Sequence, residues 1–266
     1  MGKLSNYAEN KVLDHILKVA AYTRPTKLFL ALCEADPTDT GTGATITEPS
    51  DVAYTREECD TWTTAASRAA ANSVVITYPD CTEDWDAITH FAILDTVTLG
   101  AGNIIAYGLV TPNKTFYSGN TPNVAAGDLD ISVDAGGASD YLANKLLDHL
   151  FKGTAYTPPT DIFIALCTAT VLDADTGSTI SEPGENYARI KHNGWKIAAA
   201  GASSNSDTIV FAKATGGTWG TITHFALCDS LATGNLLLHA ALNTSQPIEV
   251  GDIATWADGA LDITAD

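Results

Sequence analysis

The feature that most constrains this chain is that it is written twice. Tyr-Ala-Glu-Asn-Lys-Val-Leu-Asp-His-Ile at 7–16 returns as Tyr-Leu-Ala-Asn-Lys-Leu-Leu-Asp-His-Leu at 141–150, identical at 6 of 10 positions and offset by 134. Ala21-Tyr22-Thr23 and Ala31-Leu32-Cys33 recur at the same offset as Ala155-Tyr156-Thr157 and Ala165-Leu166-Cys167. A chain of 266 residues could hold one large domain or two ordinary ones. The repeat decides for two, with boundaries expected at 1–136 and 137–266. Ala135-Gly136-Gly137-Ala138-Ser139 forms the short join.

Each repeat opens on helical periodicity. Tyr7, Ala8, Val12, Leu13, Ile16, Leu17 and Ala20 share one face, while Lys11, Asp14 and Lys18 fall on the other. Asn6 with Glu9 reads as a capping box, and Gly153 as a C-terminal cap in the second copy. Arg24-Pro25 and Pro158-Pro159 end the helices. The unbroken runs 28–33 and 162–167 predict strands buried on both faces. Further on come strand-like segments at 73–78 and 208–211, then Ile88-Thr89-His90-Phe91-Ala92 matched by Ile222-Thr223-His224-Phe225-Ala226. Gly102-Asn103 and Gly234-Asn235 make turns, and Leu-Asp-Ile closes each repeat at 129–131 and 261–263. The expected fold is mainly β: two tandem antiparallel β-sandwich domains, each preceded by one N-terminal α-helix, with about six strands of 5–8 residues per domain.

Composition narrows the function. Acidic residues outnumber basic ones 32 to 14, a net charge of −18 that repels phosphate backbones, so nucleic acid is not an expected partner. No run of 18 apolar residues exists, and no apolar core follows Lys3, so neither a membrane span nor a signal peptide is expected. The five cysteines (Cys33, Cys59, Cys81, Cys167, Cys228) are odd in number and widely spaced, as small buried hydrophobes are, and suit a reducing site of synthesis.

Four constellations invite chemistry. Asp39-Thr40-Gly41 and Asp175-Thr176-Gly177 resemble the paired motif of aspartic proteases. Neither follows a hydrophobic strand, so both are expected to serve turn geometry. Asp36 with Asp39, and Asp173 with Asp175, offer clustered oxygens for calcium, without a distal bidentate acid. His15 with His149, and His90 with His224, are repeat-paired but lack a second ligand at i+4; surface and hydrogen-bonding roles are expected. Trp62 with Trp195, and Trp85 with Trp219, could stack on sugars, although packing is the expected role. No catalytic residue, cofactor site or metal site is assigned.

The helix motif, the strand ending Ala-Leu-Cys, Tyr-x-Arg at 54–56 and 187–189, Ile-Thr-His-Phe-Ala and the closing Leu-Asp-Ile together resemble a family of tailed-bacteriophage virion structural proteins usually labelled phage tail fibre protein. The likeness covers nearly the whole chain in two copies. It implies a particle component, not an enzyme. The expected partners are other virion proteins (capsid, neck or tail subunits), with multiple copies on a symmetric assembly, no nucleic acid and no membrane. The implied location is the virion, after synthesis in the host bacterial cytoplasm. Without heptads or fibrous repeats, a compact decorating or accessory subunit is expected. The alternative is a tail-fibre or receptor/carbohydrate-binding module for host adsorption.

Overall fold

The computed structural model describes residues 2–265. It is mainly β and divides into two compact units. Unit 1 contains the chain up to Glu9, Thr23–Val133 and Asn144–Tyr156; unit 2 contains Asn10–Tyr22, Asp134–Ala143 and the chain from Thr157 onward. Each unit thus holds the β-strands of one repeat and most of the helix encoded by the other. Among the described residues no helix is long and apolar enough to cross a membrane.

In the first repeat the elements are β1 (Gly2–Leu4), α1 (Asn6–Ile16), β2 (Phe29–Cys33), β3 (Glu57–Glu58), β4 (Ala69–Ala71), β5 (Ile76–Thr77), β6 (Ile88–Leu94), β7 (Ile104–Lys114), β8 (Asn123–Val124) and β9 (Asp130–Ser132). Seven strands form one sheet in the order β3-β2-β6-β7-β1-β9-β4, and β5 pairs with β8. Neighbours run antiparallel except β1 and β9, which meet in parallel at Gly2 and Ile131. The run 28–33 is apolar throughout because Leu30, Ala31, Leu32 and Cys33 are all buried, whichever face they point to. Ala31, Cys33, Ala92, Leu94, Ile104 and Tyr107 pack together as one core cluster.

The second repeat gives α2 (Asp140–Leu147), which continues as a wider π-type turn over Asp148–Lys152 and stops at Gly153, φ 75°. There follow β10 (Phe163–Cys167), β11 (Ile190–Lys191), β12 (Ala202–Ser204), β13 (Ile209–Val210), β14 (Gly220–Cys228), β15 (Leu236–Ile248), β16 (Thr255–Trp256) and β17 (Asp262–Thr264). Here the sheet order is β11-β10-β14-β15, with β12-β17 and β13-β16 as separate pairs. Among the described residues no strand joins β15 to β17 as β1 joins β7 to β9.

Outside the central β2-β6-β7 and β10-β14-β15 meanders the strands are shorter and more numerous than the sequence predicts. The small-residue spacers explain part of this. Ser67 and Arg68 both have positive φ (50° and 65°), and Ala66 bridges Ala69: a tight hairpin in the first repeat. Ala200 and Gly201 repeat it at φ 50° and 72°, between Ala199 and Ala202.

These hairpins explain the Asn-Lys-x-Leu-Asp motif. In unit 1, Asn144 Oδ1 accepts the Arg68 N–H at 2.9 Å and Asp148 Oδ1 accepts the Ala65 N–H at 2.8 Å. In unit 2, Asn10 Oδ1 accepts the Gly201 N–H at 2.9 Å and Asp14 Oδ1 the Ala198 N–H at 2.7 Å. Side chains four apart share a helical face, so one Asn and one Asp grip one turn. Asp14 is consequently buried, not on the solvent face expected for it. The helix cap also differs from expectation. Ser5 Oγ accepts the Ala8 N–H at 3.3 Å, and Ser139 Oγ the Leu142 N–H at 3.1 Å, placing the cap one residue before Asn6.

Candidate interaction grooves and the side chains around them

Tyr-x-Arg, preceded by Glu-Pro, builds the most heavily bonded cluster in each unit. The Arg56 side chain is 0% exposed. Its Nε and Nη2 grip Glu48 at 2.9 and 2.7 Å, and its Nη1 donates to the carbonyls of Thr96, Thr98 and Ala101 at 3.1, 2.9 and 2.8 Å. Tyr54 donates to Glu48 at 2.9 Å and accepts the Leu32 N–H at 3.0 Å. Burial pushes its phenol well above the usual range. Unit 2 repeats the cluster: Arg189 grips Glu182 at 3.0 and 2.7 Å and donates to Ser230 and Thr233 at 2.8 and 3.1 Å, while Tyr187 donates to Glu182 at 3.0 Å. Every donor of the guanidinium fork is aimed at a loop, so the cluster ties loops to the sheet and presents no free group to a substrate.

The tryptophans singled out by pairing are core residues. Trp62 and Trp195 are 4% and 6% exposed, and Trp62 lies 4.8 Å from Phe151 in unit 1. Trp85 donates to Asp51 Oδ2 at 3.0 Å; Trp219 donates to Asn186 Oδ1 at 3.2 Å. The Thr82 hydroxyl, the Ala53 N–H and the Trp85 indole together hold the Asp51 carboxyl well below the usual carboxylate range. A carboxyl depressed in this way stabilises the fold above its unfolded value of about 3.9 and ceases to as pH falls through its folded value. Asp51→Asn is therefore expected to lower the melting temperature of unit 1 at pH 7, with the gap to wild type closing below about pH 3.9. Calorimetric scans across that range check it. Unit 2, with a neutral amide against its indole, carries no such acid dependence at this position.

The two Asp-Thr-Gly stretches are not structural counterparts. Asn6 N–H meets the Asp39 carbonyl at 3.2 Å, and Asp140 N–H meets the Asp173 carbonyl at 2.8 Å, so Asp39 corresponds to Asp173 and Gly41 to Asp175. Asp39 Oδ1 accepts from Tyr107 at 3.3 Å, whereas Asp173 Oδ1 stands 2.9 Å from His239. Asp175 accepts the Leu172 N–H at 2.8 Å and the Thr179 hydroxyl at 2.9 Å, which is turn geometry. Asp36 likewise accepts the Thr38 N–H at 2.9 Å. Among the described residues no three His, Cys, Asp or Glu side chains are grouped to hold a metal ion.

His15 and His149 are buried, not on the helix surface, and their Nδ1 atoms accept the N–H of Tyr22 and Tyr156 at 3.1 and 3.2 Å. His90 and His224 lie 2.8 and 2.9 Å from the hydroxyls of Thr89 and Thr223, and burial, helped by nearby His239, pulls His224 below the ordinary imidazole range. All five cysteines are buried and unbridged. Burial pushes Cys167 and Cys228 up to about 12 and raises the other three thiols too. A folded sample at pH 8 is accordingly expected to show no fast reaction with a thiol-reactive disulfide, and all five thiols after denaturation.

What remains open in each unit is the same groove. In unit 1 it measures about 400 Å³ over Leu32, Ile88 and Phe91, walled by the end of β7 and by β8-β9. In unit 2 it measures about 650 Å³ over Leu166, Ile222 and Phe225, walled by the end of β15 and by β16-β17. The floor residues are identical in the two repeats, whereas several of the equivalent wall positions differ. Trp256, half-buried, lines the groove in unit 2 where unit 1 has Val124. Its ring lies 6.2 Å from Phe225 and 6.0 Å from Phe211. Pairing between repeats could not flag it, because its counterpart is not aromatic.

No curated protein matches the chain. A family model described as podophage GP4 fiber I protein gp80 matches it twice, over residues 3–132 and 137–264, each match running from β1 or its counterpart through the last strand of the repeat. Those two matches take in nearly every element described above, and the chain belongs to the Gp80 family of phage fibre proteins.

Proposed function

We propose that this chain is a non-enzymatic structural component of a tailed-phage virion, a decorating or accessory subunit held on the head, neck or tail by protein–protein contacts. Residues 1–136 and 137–266 are its duplicated repeats, and other virion proteins are its partners, contacted by multiple copies on a symmetric assembly. It is made in the host cytoplasm and ends in the particle. The observation that carries the reading is the double match to a fibre family over nearly the whole chain. The tying of the conspicuous Arg, Asp, His and Trp side chains into the fold supports it. A second reading, a receptor- or carbohydrate-binding module for host adsorption, draws on Trp256, whose half-buried ring lines the groove of unit 2 as a sugar-stacking aromatic would.

Rebinding separates the two. Purified chain is added to particles lacking it and, separately, to host cells. Saturable binding to particles alone supports the accessory subunit. Binding to cells but not to particles overturns it in favour of adsorption.

A further inference from the structure

We propose that the groove between β15 and β17 of unit 2 seats one extended strand of another virion protein, with small or apolar residues facing in and basic residues facing out. Unit 1 provides the pattern. There β1 lies between β7 and β9, pairing Gly2 with Gly108 on one side and with Ile131 on the other. In unit 2 the counterpart of β1 makes one bridge, Ala138 to Leu238, and accepts the His239 N–H at Gly137 O, 2.7 Å. It then turns away through Gly137 and Gly136, at φ 87° and 94°.

One substitution lies at the point of departure. A Cβ on Gly108 would come within 2.8 Å of the Gly2 Cα, and unit 2 has Ala240 where unit 1 has Gly108. The methyl denies the chain's own strand the close approach that β1 makes. Beyond it, from Ala241 to Gln246, β15 is the edge of its sheet and lines the open groove.

Both walls expose main-chain partners for a strand. Leu237 O and the His239 N–H face the groove side, so by alternation the N–H and C=O of Ala241 do as well, and past Ala241 a bulge shifts the register with β14 before Gln246. On β17, Leu261 O and the Ala265 N–H are turned toward β12 and its flanks, which leaves Asp262 and Thr264 facing the groove. Such edges are the usual template for strand addition, with pockets beneath reading alternate side chains. Here the pockets are Phe225, Leu166 and Trp256.

The occupant's chemistry follows from β1 and from charge. In β1, Gly2 and Leu4 are buried and Lys3 is exposed, 4.0 Å from Asp39. Asp262 lines the unit 2 groove, where no basic residue does, in a chain of net charge −18. Gly2–Leu4 as β1 and Asp262–Thr264 as β17 are already paired within the chain, so neither is free to serve as the strand in a second copy.

The inference rests on the particle role only for the source of the strand, and its test needs no particle, so the two can fail separately. The full chain is titrated with an acetylated seven-residue peptide alternating lysine with glycine, leucine or valine, and with a same-composition peptide whose lysines are clustered. Amide exchange is read by mass spectrometry. The alternating peptide is expected to slow exchange roughly tenfold or more at 241–246 and 261–264, and the clustered one to leave it unchanged. Ala241→Pro, which removes one groove-facing N–H, abolishes the protection; Trp256→Ala, which strips one apolar wall, weakens it independently. Equal protection by both peptides, or none at either wall, overturns the proposal.

Discussion

Replacing Arg56 by methionine is expected to cost unit 1 about 3–5 kcal/mol, the range for removing one partner of a buried ion pair. Two losses combine. Glu48, 9% exposed, is left as a charge without its counter-ion, and the carbonyls of Thr96, Thr98 and Ala101 lose a shared donor. Lysine cannot substitute, since one ammonium cannot reach a carboxylate fork and loop carbonyls on two sides. Removing Glu48 as well, in Arg56→Met with Glu48→Leu, should restore only part of the loss, because the orphaned carbonyls remain. Arg189→Met is expected to act the same way on unit 2. Urea denaturation followed by amide exchange in each unit measures all three. A loss near zero for Arg56→Met would show that the loops hold without the clamp.

Phe151→Ala is expected to destabilise unit 1 by about 3–5 kcal/mol, although Phe151 is encoded in the second repeat. Its side chain is 0% exposed, and its ring lies 4.8 Å from Trp62. Amides of β4 and β9 should exchange faster while those of β12 and β17 are unchanged. Asp14→Ala should do the reverse, loosening the turn of unit 2 by leaving the Ala198 N–H without its acceptor. Weakening of β12 and β17 by Phe151→Ala instead would contradict the assignment of residues 144–156 to unit 1.

This exchange of helices could not be read in the sequence, and the repeat is itself the reason. Asn10 and Asp14 present the same groups at the same spacing as Asn144 and Asp148, so either helix could grip either hairpin. What was legible lay close along the chain or was patterned by burial: the amphipathic helix, the apolar strands β2 and β10, and the closing strands β9 and β17. Asp14 and His15 read as a solvent face because their partners had to be known first; Asp14 meets Ala198, 184 residues away. The Asp-Thr-Gly pairing matched letters at the wrong offset, although the 134-residue spacing found elsewhere would have set Asp39 against Asp173. The groove was invisible for a different cause. It is walled by strands far apart along the chain, and Trp256, its main aromatic wall, has no aromatic twin in the first repeat.

We propose that this duplicated β-module serves the particle by contact and performs no reaction. The most direct test is a high-resolution image of the assembled virion. In it each chain is expected to appear as two like β-units, residues 144–156 in the first and 10–22 in the second, repeated with the particle's symmetry and touching other virion proteins. Particles that infect normally and show no such density would contradict it.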